Sequence, residues 1–399
     1  MKTWLIKIGK AWSVIRRDGL VRGGRRVLEA FTALFAHVEP GDILFISGGV
    51  GDSARYRTQH VAEELRLHGF RASVTVQDNP RLVSYADQFQ VFVLHRVLMT
   101  VAIARLIARL KEVGKTIIFE TDDLVYDPEF LVHMDYWHQM NVLERKLYEH
   151  GVGGEILADP YVTTATTTTG FLADKLREKG KSVYLVPNRL SQQDVLWADE
   201  ALKKNHESRI TNHEGEKIVR MGYLSGTPSH NKDFATITPA LITLFEKYPE
   251  MRLVLAGPLD TEDRLQVYAE RIECLPFVPR ARLFANIATL DINLAPLEID
   301  NPFCESKSEL KFFEAGIVSV PTVAAATRTY CEAITDGTDG FVAANTDEWV
   351  AKIGRLIAEP ELRARIGHAA RETALAQYTN ANAKNEAYYE FLRSVMKHD

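Results

Sequence analysis

Several apolar runs of this sequence end in polar residues that can bind a substrate or act on it. Gly48-Gly49-Val50-Gly51-Asp52-Ser53 follows one run, and its glycines let backbone N–H groups approach a ligand. The spacing departs from the dinucleotide-binding pattern, and the alternative is a tight turn capped by Asp52 or Ser53. Arg55 and Arg57 lie near the start of the predicted following helix, where the helix dipole disfavours cations. Their position therefore suggests a ligand or a carboxylate partner.

Carboxylates and a histidine follow two further predicted strands. Glu120-Thr121-Asp122-Asp123 offers three carboxylates in four residues, which can bind Mg²⁺ or Mn²⁺, orient a sugar or act as a base. The spacing of Glu120 and Asp122 also fits a metal-dependent sugar-nucleotide site. The alternative is a helix cap with solvated charge. His95 comes directly after Val91–Leu94 and is either a structural or a catalytic residue.

A glycine-containing loop in the second half suits a phosphate group. The segment Gly222–Phe234 runs from a predicted strand through a polar loop into a helix. Backbone N–H groups, hydroxyls, a cation and a helix start together favour an anion, although an ordinary long turn is the alternative. The candidate residues in this loop are Gly226, Thr227, His230 and Lys232.

The segment Lys307–Gly316 is the most specific candidate. It predicts a helix that carries Lys307, Lys311 and Glu314 on neighbouring turns, with Ser308 beside them. The lysines can attract a diphosphate, and the carboxylate can hold a ribose diol. The alternative is a helix with surface salt bridges. This alternative does not explain why the helix directly precedes a buried strand.

Alternating strand and helix patterns position these groups. Predicted strands lie at 42–47, 71–77, 91–94, 116–120, 161–165, 182–186, 218–223, 252–256, 292–295 and 322–324. Helical patterns separate most of them, which predicts an α/β protein with parallel, doubly wound sheets. Ligands bind beyond the carboxyl ends of such strands, so two sheets imply a cleft lined by the candidate residues.

The chain divides into five predicted parts. A basic amphipathic helical segment covers residues 1–40, and a first Rossmann-like domain covers 41–190. The polar stretch 191–216 is predicted to be a linker. A second Rossmann-like domain covers 217–375, and a C-terminal helix within 376–399 is predicted to pack back on the first domain.

Composition excludes several classes of protein. The 399 residues are 46% hydrophobic and 25% charged, which is typical of a globular protein and excludes a disordered or collagen-like chain. A net charge of −5 gives no sign of nucleic-acid binding. Three cysteines without a CxxC pair favour a reducing, cytoplasmic setting. We find no signal peptide and no uninterrupted apolar run of membrane-spanning length.

The N-terminal segment has a basic and an apolar face. Eight lysines and arginines and one aspartate lie within residues 1–26, and Trp4 and Trp12 fall on the apolar face. Such a helix can lie on the inner face of the cytoplasmic membrane as a peripheral contact. Packing on the protein's own body is the alternative.

Taken together, these segments resemble the retaining GT-B glycosyltransferases of family four, in a bacterial branch. The resemblance runs from about Gly41 to Thr379 and is strongest in the second half. It rests on Met221–Thr227 with His230, on Leu253–Gly257, on Leu290–Pro296, on Lys307–Ala315 through Pro321, and on Asp336–Val342. The looser matches are Gly48–Arg57, Phe119–Asp127, and Ala158–Leu172 with Leu185–Asn188.

This resemblance implies a GT-B fold, with two Rossmann-like domains facing a central cleft. It implies a hexosyltransferase-type enzyme that moves a sugar from a nucleotide diphosphate sugar to a glycan or lipid-linked acceptor with retained configuration, in cell-surface polysaccharide synthesis. No cofactor or bound metal is implied. The donor side is then Gly226, Thr227, His230, Lys232, Lys307, Ser308, Lys311 and Glu314. The acceptor side is Gly49, Gly51, Asp52, Ser53 and Arg55, with His95, Asp122 and Asp123 orienting or deprotonating the acceptor hydroxyl.

Two positions depart from the family pattern. The family often carries two glutamates with seven residues between them, and Ser306 stands at the first position while Glu314 fits the second. Tyr223 replaces the usual arginine, so lysines must supply the positive charge. A nucleotide-sugar epimerase, a metal-dependent enzyme and a non-catalytic glycan-binding scaffold remain as alternatives.

Overall fold

The computed structural model of the chain describes residues 24, 28, 31, 32, 34–134, 137, 140, 145, 146, 148–211, 218–225, 231–257, 259, 262–276 and 278–396. These residues form two compact units. Described residues up to Val132, those from Met140 to Asn188 and those from Lys384 onward form the N-terminal unit. Arg189–Ala383 and the described residues of 133–138 form the C-terminal unit. Of the membrane segment predicted at 1–26, only residue 24 is among the described residues. The predicted site residues Gly226, Thr227 and His230 lie outside them.

The described part of the N-terminal unit is built on a six-stranded parallel sheet with the order β2-β1-β3-β4-β5-β6. Every residue of β1 and β3 is buried, as expected for parallel strands covered on both faces. The strands are Ile43–Ser47 (β1), Ala72–Val76 (β2), Val91–His95 (β3), Thr116–Thr121 (β4), Thr164–Thr167 (β5) and Ser182–Leu185 (β6).

Helical segments separate these strands. They are Asp52–Ala54, the π-helical Arg55–His60, Val61–Leu67, Leu82–Asp87, Val101–Glu112, Pro128–His133, Gly154–Leu157 and Gly170–Glu178, and Glu386–Met396 comes at the end of the chain. Val101–Glu112 shows why they form: Thr100 caps its first turn by accepting from the N–H of Ile103 at 3.3 Å. Its apolar residues recur on one buried face.

The described part of the C-terminal unit contains a second parallel sheet, with the order β12-β11-β10-β7-β8-β9. Its strands are Val219–Leu224 (β7), Met251–Ala256 (β8), Ile272–Leu275 (β9), Ile292–Ala295 (β10), Thr322–Ala325 (β11) and Phe341–Ala343 (β12). Strand β9 was not among the predicted strands because it is short and partly exposed. The helical segments are Gln192–Thr211, Asn231–Ala235, Thr238–Lys247, Asp263–Arg271, Arg280–Ala288, Pro302–Glu305, Leu310–Gly316, Arg328–Ala333, Thr346–Ala358, Pro360–Gln377 and Asn380–Asn382.

The predicted linker differs from the structure, whereas the C-terminal helix lies in the unit on which it was predicted to pack. Most of the predicted linker 191–216 is the helix Gln192–Thr211, which belongs to the C-terminal unit. The helix Glu386–Met396 belongs to the N-terminal unit, where Tyr388, Tyr389 and Leu392 are part of the hydrophobic core. Within the described residues, no helix is both apolar enough and long enough to cross a bilayer.

Candidate functional site

The first candidate site lies at the carboxyl ends of β1 and β3. The sheet reverses its direction of growth between these two strands, and ligands of open α/β sheets bind at such switch points. A pocket of about 210 Å³ opens there. Its lining combines the predicted glycine loop with polar and apolar side chains: Ser47, Gly48, Gly49, Val50, Ser53, Ala54, His95, Arg96, Leu98, Val125, Tyr148 and Val152.

Hydrogen bonds hold the glycine loop in place. The N–H of Gly48 donates to the carbonyl of His95 at 2.8 Å, and Gln77 Nε2 donates to the carbonyl of Gly48 at 2.9 Å. The same Gln77 accepts from the N–H of Leu98 at 2.9 Å. A Cβ at position 48 would lie 1.8 Å from the carbonyl oxygen of Arg96, so only glycine allows this approach.

His95 contributes a buried imidazole to this pocket. Its Nε2 lies 3.0 Å from Ser53 Oγ. Burial lowers the pKa of His95 to about 3, with the cations of Arg96 and Arg57 adding to the effect against the opposing charge of Asp122. The ring is therefore neutral at pH 7 and offers a hydrogen bond instead of a charge.

The predicted carboxylates Asp122 and Asp123 both face a cation. Arg96 has φ +48° directly after β3, and its Nε donates to Asp122 Oδ1 at 2.6 Å. Its guanidinium also donates to Asp123. Burial raises the pKa of Asp122, but the charges of Arg96 and Arg57 outweigh this and lower it to about 2. Asp122 is therefore an ionised carboxylate and a weak base.

Arg57 and Glu120 form a buried ion pair beside this site. The Arg57 side chain is fully buried, and it donates to the two Glu120 oxygens at 2.8 and 3.1 Å. It also donates to the carbonyl of Val186 at 2.7 Å and to Asn188 Oδ1 at 3.0 Å. Burial lowers the pKa of Arg57, but the Glu120 carboxylate more than reverses this.

These pairs bear on the metal-dependent alternative. Glu120 faces the Arg57 guanidinium, and Asp122 faces the Arg96 guanidinium. A divalent cation between the two carboxylates would lie close to both guanidinium groups and be repelled by them. Both carboxylates of the predicted metal site are thus already paired with a guanidinium group.

The remaining predicted acceptor residues do not line the pocket. Arg55 Nη1 lies 2.5 Å from Asp52 Oδ1, so Asp52 is the carboxylate partner that its position suggested. Gly51 has φ +132° just before the helix Asp52–Ala54. Of the residues predicted to touch the acceptor, Gly49, Ser53 and His95 are thus brought together in one pocket.

The second candidate site lies at the carboxyl ends of β7 and β10, between which the second sheet reverses direction. Lys311 reaches this point: its Nζ donates to the carbonyl of Leu224 at the end of β7 and lies 4.8 Å from the centre of the Tyr223 ring. Asn293 of β10 donates to the carbonyl of Lys311 at 3.0 Å. Burial lowers the pKa of Lys311 to about 8, against the opposing charge of Glu314.

Lys307 lies outside the helix on which it was predicted. The helix begins at Leu310, and the Lys307 Nζ lies 2.7 Å from Oδ2 of the buried Asp233. Cys304 Sγ donates to the other Asp233 oxygen at 3.1 Å, and burial raises the pKa of this thiol to about 12. Glu298 completes a group whose ligand atoms lie within 4.8 Å of one another. The ammonium and the protonated thiol make this group an ion-pair cluster and a poor cation site.

Glu314 is held by an arginine. Arg280 Nη1 donates to Glu314 Oε1 at 2.7 Å, and its Nε donates to Asp194 Oδ1 at 2.8 Å. Ser308 lies between the helices Pro302–Glu305 and Leu310–Gly316, and Lys232 is exposed on the helix Asn231–Ala235. Ser306, at the position of the missing glutamate, is fully buried and donates to the carbonyl of Phe303 at 2.8 Å.

Sequence reasoning assigned no role to Arg96 or Arg280, and it named no partner for Arg57. Arg57 was predicted, with Arg55, to meet a ligand or a carboxylate, and Arg96 directly follows the candidate His95. The carboxylate partners of Arg57 and Arg96 lie on β4 or directly after it, and only the tertiary structure reveals this pairing. Arg280 carried no signal, because its partner Asp194 lies in the stretch predicted to be a linker.

Comparison with known proteins agrees with this architecture. Residues 239–386 match the family described as glycosyl transferase-like. EpsD of Bacillus subtilis, provisionally named as a glycosyltransferase, is 30% identical over 147 residues. That alignment spans 36% of this chain and 38% of the length of EpsD.

Solved structures share the fold over most of the chain. HepE of Anabaena, solved in complex with UDP, matches 88% of this chain and 100% of its own, with a TM-score of 0.58 and 14% identity. A glycosyltransferase of Rickettsia africae matches 90% of this chain and 99% of its own, with a TM-score of 0.61 and 12% identity. Sucrose-phosphate synthase of Thermosynechococcus elongatus matches 88% of this chain and 100% of its own, with a TM-score of 0.58 and 12% identity.

Proposed function

We propose that this chain, which carries a glycosyl transferase-like domain and has the GT-B fold predicted from its sequence, transfers a sugar from a nucleotide diphosphate sugar to a hydroxyl acceptor. The observation that carries the proposal is the position of Lys311 at the switch point of the second sheet. A glycan or lipid-linked acceptor, retained anomeric configuration and a role in cell-surface polysaccharide synthesis are parts of the same proposal.

The donor chemistry depends on the leaving diphosphate. Negative charge accumulates on it as the glycosidic bond breaks, and cations aimed at that charge stabilise the transition state more than the ground state. Lys311 is the first such cation, and a bound diphosphate would raise its pKa above its present value of about 8. Lys307 is the second, shared with Asp233. The proposed donor side also includes the loop with Gly226, Thr227 and His230 and the neighbouring Lys232. Glu314 accepts hydrogen bonds from the ribose hydroxyls in this proposal.

The acceptor chemistry follows from the neutral groups of the 210 Å³ pocket. His95 is uncharged at pH 7 and Ser53 is its hydrogen-bond partner. This pair is suited to orienting a hydroxyl group of the acceptor against the donor carbon. Asp122 is too weak a base for full proton removal, so we assign it an electrostatic role through Arg96.

The proposed reaction needs no bound metal, because the lysines supply the positive charge. A chelator added to the assay is therefore expected to leave turnover unchanged. Loss of turnover that Mg²⁺ or Mn²⁺ restores would favour the metal-dependent alternative.

The test begins with nucleotide binding. Thermal unfolding is measured with GDP, UDP, dTDP and CMP on the wild type, on Glu314→Ala and on the exposed control Glu332→Ala. A ligand at a hundred times its Kd stabilises by about 2.7 kcal/mol, which is readily measured. We expect one nucleoside diphosphate, with UDP the first candidate, to raise the Tm of the wild type and the control, and to lose most of this effect in Glu314→Ala.

Turnover then separates the alternatives. Release of the nucleoside diphosphate only with an added acceptor supports transfer, and NMR of the product reports whether the anomeric configuration is retained. Isomerisation of the donor without an acceptor would support an epimerase. An absence of both nucleotide binding and turnover would support a scaffold.

A membrane surface is the proposed location of the acceptor. Leu28, Phe31 and Phe35 are 59–66% exposed, and their spacing places them on one side of a helix. The Phe31 and Phe35 rings lie 5.5 Å apart. The adjoining residues 1–26 carry eight basic side chains against one acidic side chain, which complements an anionic bilayer.

Vesicle flotation tests this location. We expect the full chain to float with vesicles rich in phosphatidylglycerol, less with phosphatidylcholine alone, and less at high salt. The double variant Phe31→Ser, Phe35→Ser should lose this binding, whereas the equally exposed control Val101→Ser should keep it. Equal flotation of the double variant and the wild type would refute the proposal.

A further inference from the structure

Arg280 joins two carboxylates from distant parts of the C-terminal unit. It is the first residue of the helix Arg280–Ala288. Its Nε and Nη2 donate to the two oxygens of Asp194 at 2.8 and 3.1 Å, and its Nη1 donates to Glu314 Oε1 at 2.7 Å. The side chains of Arg280, Asp194 and Glu314 are 8%, 1% and 15% exposed. The guanidinium group thus forms a nearly buried bridge with a fixed orientation.

The far end of this bridge is itself anchored. Asp194 lies in the first turn of the helix Gln192–Thr211, and its Oδ2 accepts from the N–H of Ser191 at 3.2 Å. The N–H of Asp194 donates to Ser191 Oγ at 3.1 Å, so the turn and the carboxylate hold each other. Asp194 therefore sets the direction from which Arg280 approaches Glu314.

Packing of the helices alone does not require this arrangement. A cation in the first turn of a helix opposes the helix dipole, and burying charged groups is costly even when they are paired. Apolar residues of similar size would join the helices at lower cost. The bridge instead constrains one carboxylate that is still partly exposed, at Glu314.

We infer that Arg280, oriented by Asp194, is the positioning residue that holds the Glu314 carboxylate ready to accept hydrogen bonds from the ribose hydroxyls of the donor nucleotide. This inference rests on the proposed function. A carboxylate can accept about four hydrogen bonds, so the bond from Arg280 is compatible with acceptance from a diol. Holding the side chain in one orientation removes the entropy cost of ordering it when the nucleotide binds.

Selectivity for ribose is the readout. Kd values for UDP, 2′-deoxy-UDP and 3′-deoxy-UDP are measured by calorimetry on the full chain, as wild type, Glu314→Gln, Arg280→Gln, Arg280→Lys and Asp194→Asn. We expect the wild type to prefer UDP over the weaker deoxy analogue by about tenfold or more, as for loss of one hydrogen bond to a charged group. Arg280→Gln and Glu314→Gln should bring this ratio close to one. Arg280→Lys should give an intermediate ratio, because a lysine lacks the planar fork that holds both carboxylates. Asp194→Asn should also give an intermediate ratio, because it weakens the contact that orients Arg280.

Arg371→Gln is the matched control. Arg371 Nη2 lies 2.7 Å from Asp199 Oδ1, so it tethers the same helix Gln192–Thr211 and contacts Asp199 in place of Glu314. Both arginine variants are expected to lower the Tm of the unliganded protein. Arg371→Gln should nevertheless keep the wild-type preference for UDP.

The outcomes separate the inference from the proposed function. If the wild type prefers UDP and Arg280→Gln keeps that preference, Arg280 is only a structural tether and the inference is wrong while the function stands. If the wild type binds UDP without ribose preference, Glu314 does not contact the ribose and the inference fails. If no nucleoside diphosphate binds to the wild type, the proposed function fails and the inference falls with it.

Discussion

Several charged residues of the two candidate sites form ion pairs. Arg57 with Glu120, Arg96 with Asp122 and Asp123, and Lys307 with Asp233 each place a cation against a carboxylate. His95 is the exception, since burial keeps it neutral beside them. The chemistry at the first switch point is therefore that of oriented hydrogen bonds, and the chemistry at the second is that of partly shielded cations.

Glu309 provides a prediction about pH at the residue scale. Burial raises its pKa to about 7, although hydrogen bonds from its own backbone and from Tyr378 and the charge of Arg189 oppose the shift. The folded protein therefore keeps a proton that the unfolded chain releases from about pH 4.5 upward. The contribution of Glu309 to stability accordingly falls as the pH rises from about 4.5 to 7 and is lowest above that range.

Glu309→Gln removes this penalty. We expect the variant to gain stability relative to the wild type by about 2–3 kcal/mol on going from pH 5 to pH 8, at 1.36 kcal/mol for each unit of pKa shift. Urea unfolding at the two pH values measures the difference. Glu372→Gln, with an exposed side chain, is the control and should show little change. A pH-independent difference between Glu309→Gln and the wild type would contradict the prediction.

The elements that matter for the site are short turns between buried strands and helices. The glycine loop after β1 is tied to the turn after β3 by Gln77 and by the bond from Gly48 to His95. The π-helical Arg55–His60 that follows brings Arg57 inward to Glu120. These connections make the first switch point a preorganised surface.

Alanine substitutions at two neighbouring glycines distinguish a structural role of this loop from a functional one. Gly48→Ala is expected to destabilise the protein by about 1–3 kcal/mol, because its Cβ would meet the Arg96 carbonyl at 1.8 Å. The Cβ atom of Gly49→Ala would have no neighbouring atom within 4 Å, so this variant should change the free energy of unfolding by less than about 0.5 kcal/mol. Urea unfolding and sugar-transfer assays on both variants test this. Loss of turnover in a stable Gly49→Ala would assign the loop to acceptor binding, and strong unfolding of that variant would contradict the predicted open space.

At the scale of the whole molecule, a helix late in the sequence belongs to the unit that the earlier residues form. The helix Glu386–Met396 completes the N-terminal core through Tyr388, Tyr389 and Leu392. The hydroxyl of Tyr389 and the amide of Asn385 both donate to Glu64 Oε1 at 2.6 Å. The N-terminal unit is therefore complete only after the C-terminal unit has been synthesised.

Leu392→Ala tests this dependence. Leu392 is fully buried, and its truncation is expected to cost about 2–5 kcal/mol. Hydrogen exchange should show faster opening of β1 and β3, with β7 and β8 unchanged, because each unit has its own core. Leu196→Ala, at a residue that is 61% exposed, is the control. Equal loss of protection in both sheets would mean that the two units unfold together.

The sequence by itself determined the class of fold and the residue types at the ends of most strands. Apolar runs such as Ile43–Ser47 are local patterns, and a buried parallel strand needs little else to be recognised. The lysines and Glu314 were likewise identified from their own segment. The resemblance that implied the GT-B fold rested on these same short motifs.

Only the tertiary structure decided which charges meet. Arg57 and Glu120 lie 63 residues apart, and Arg280 and Asp194 lie 86 apart, so their pairing depends on strand order and helix packing. Gln192–Thr211 read as a linker because it is largely polar, yet as a helix it delivers Asp194 to Arg280. Local spacing carries no information about such partners, since burial brings together groups that are remote along the chain and changes their charge states.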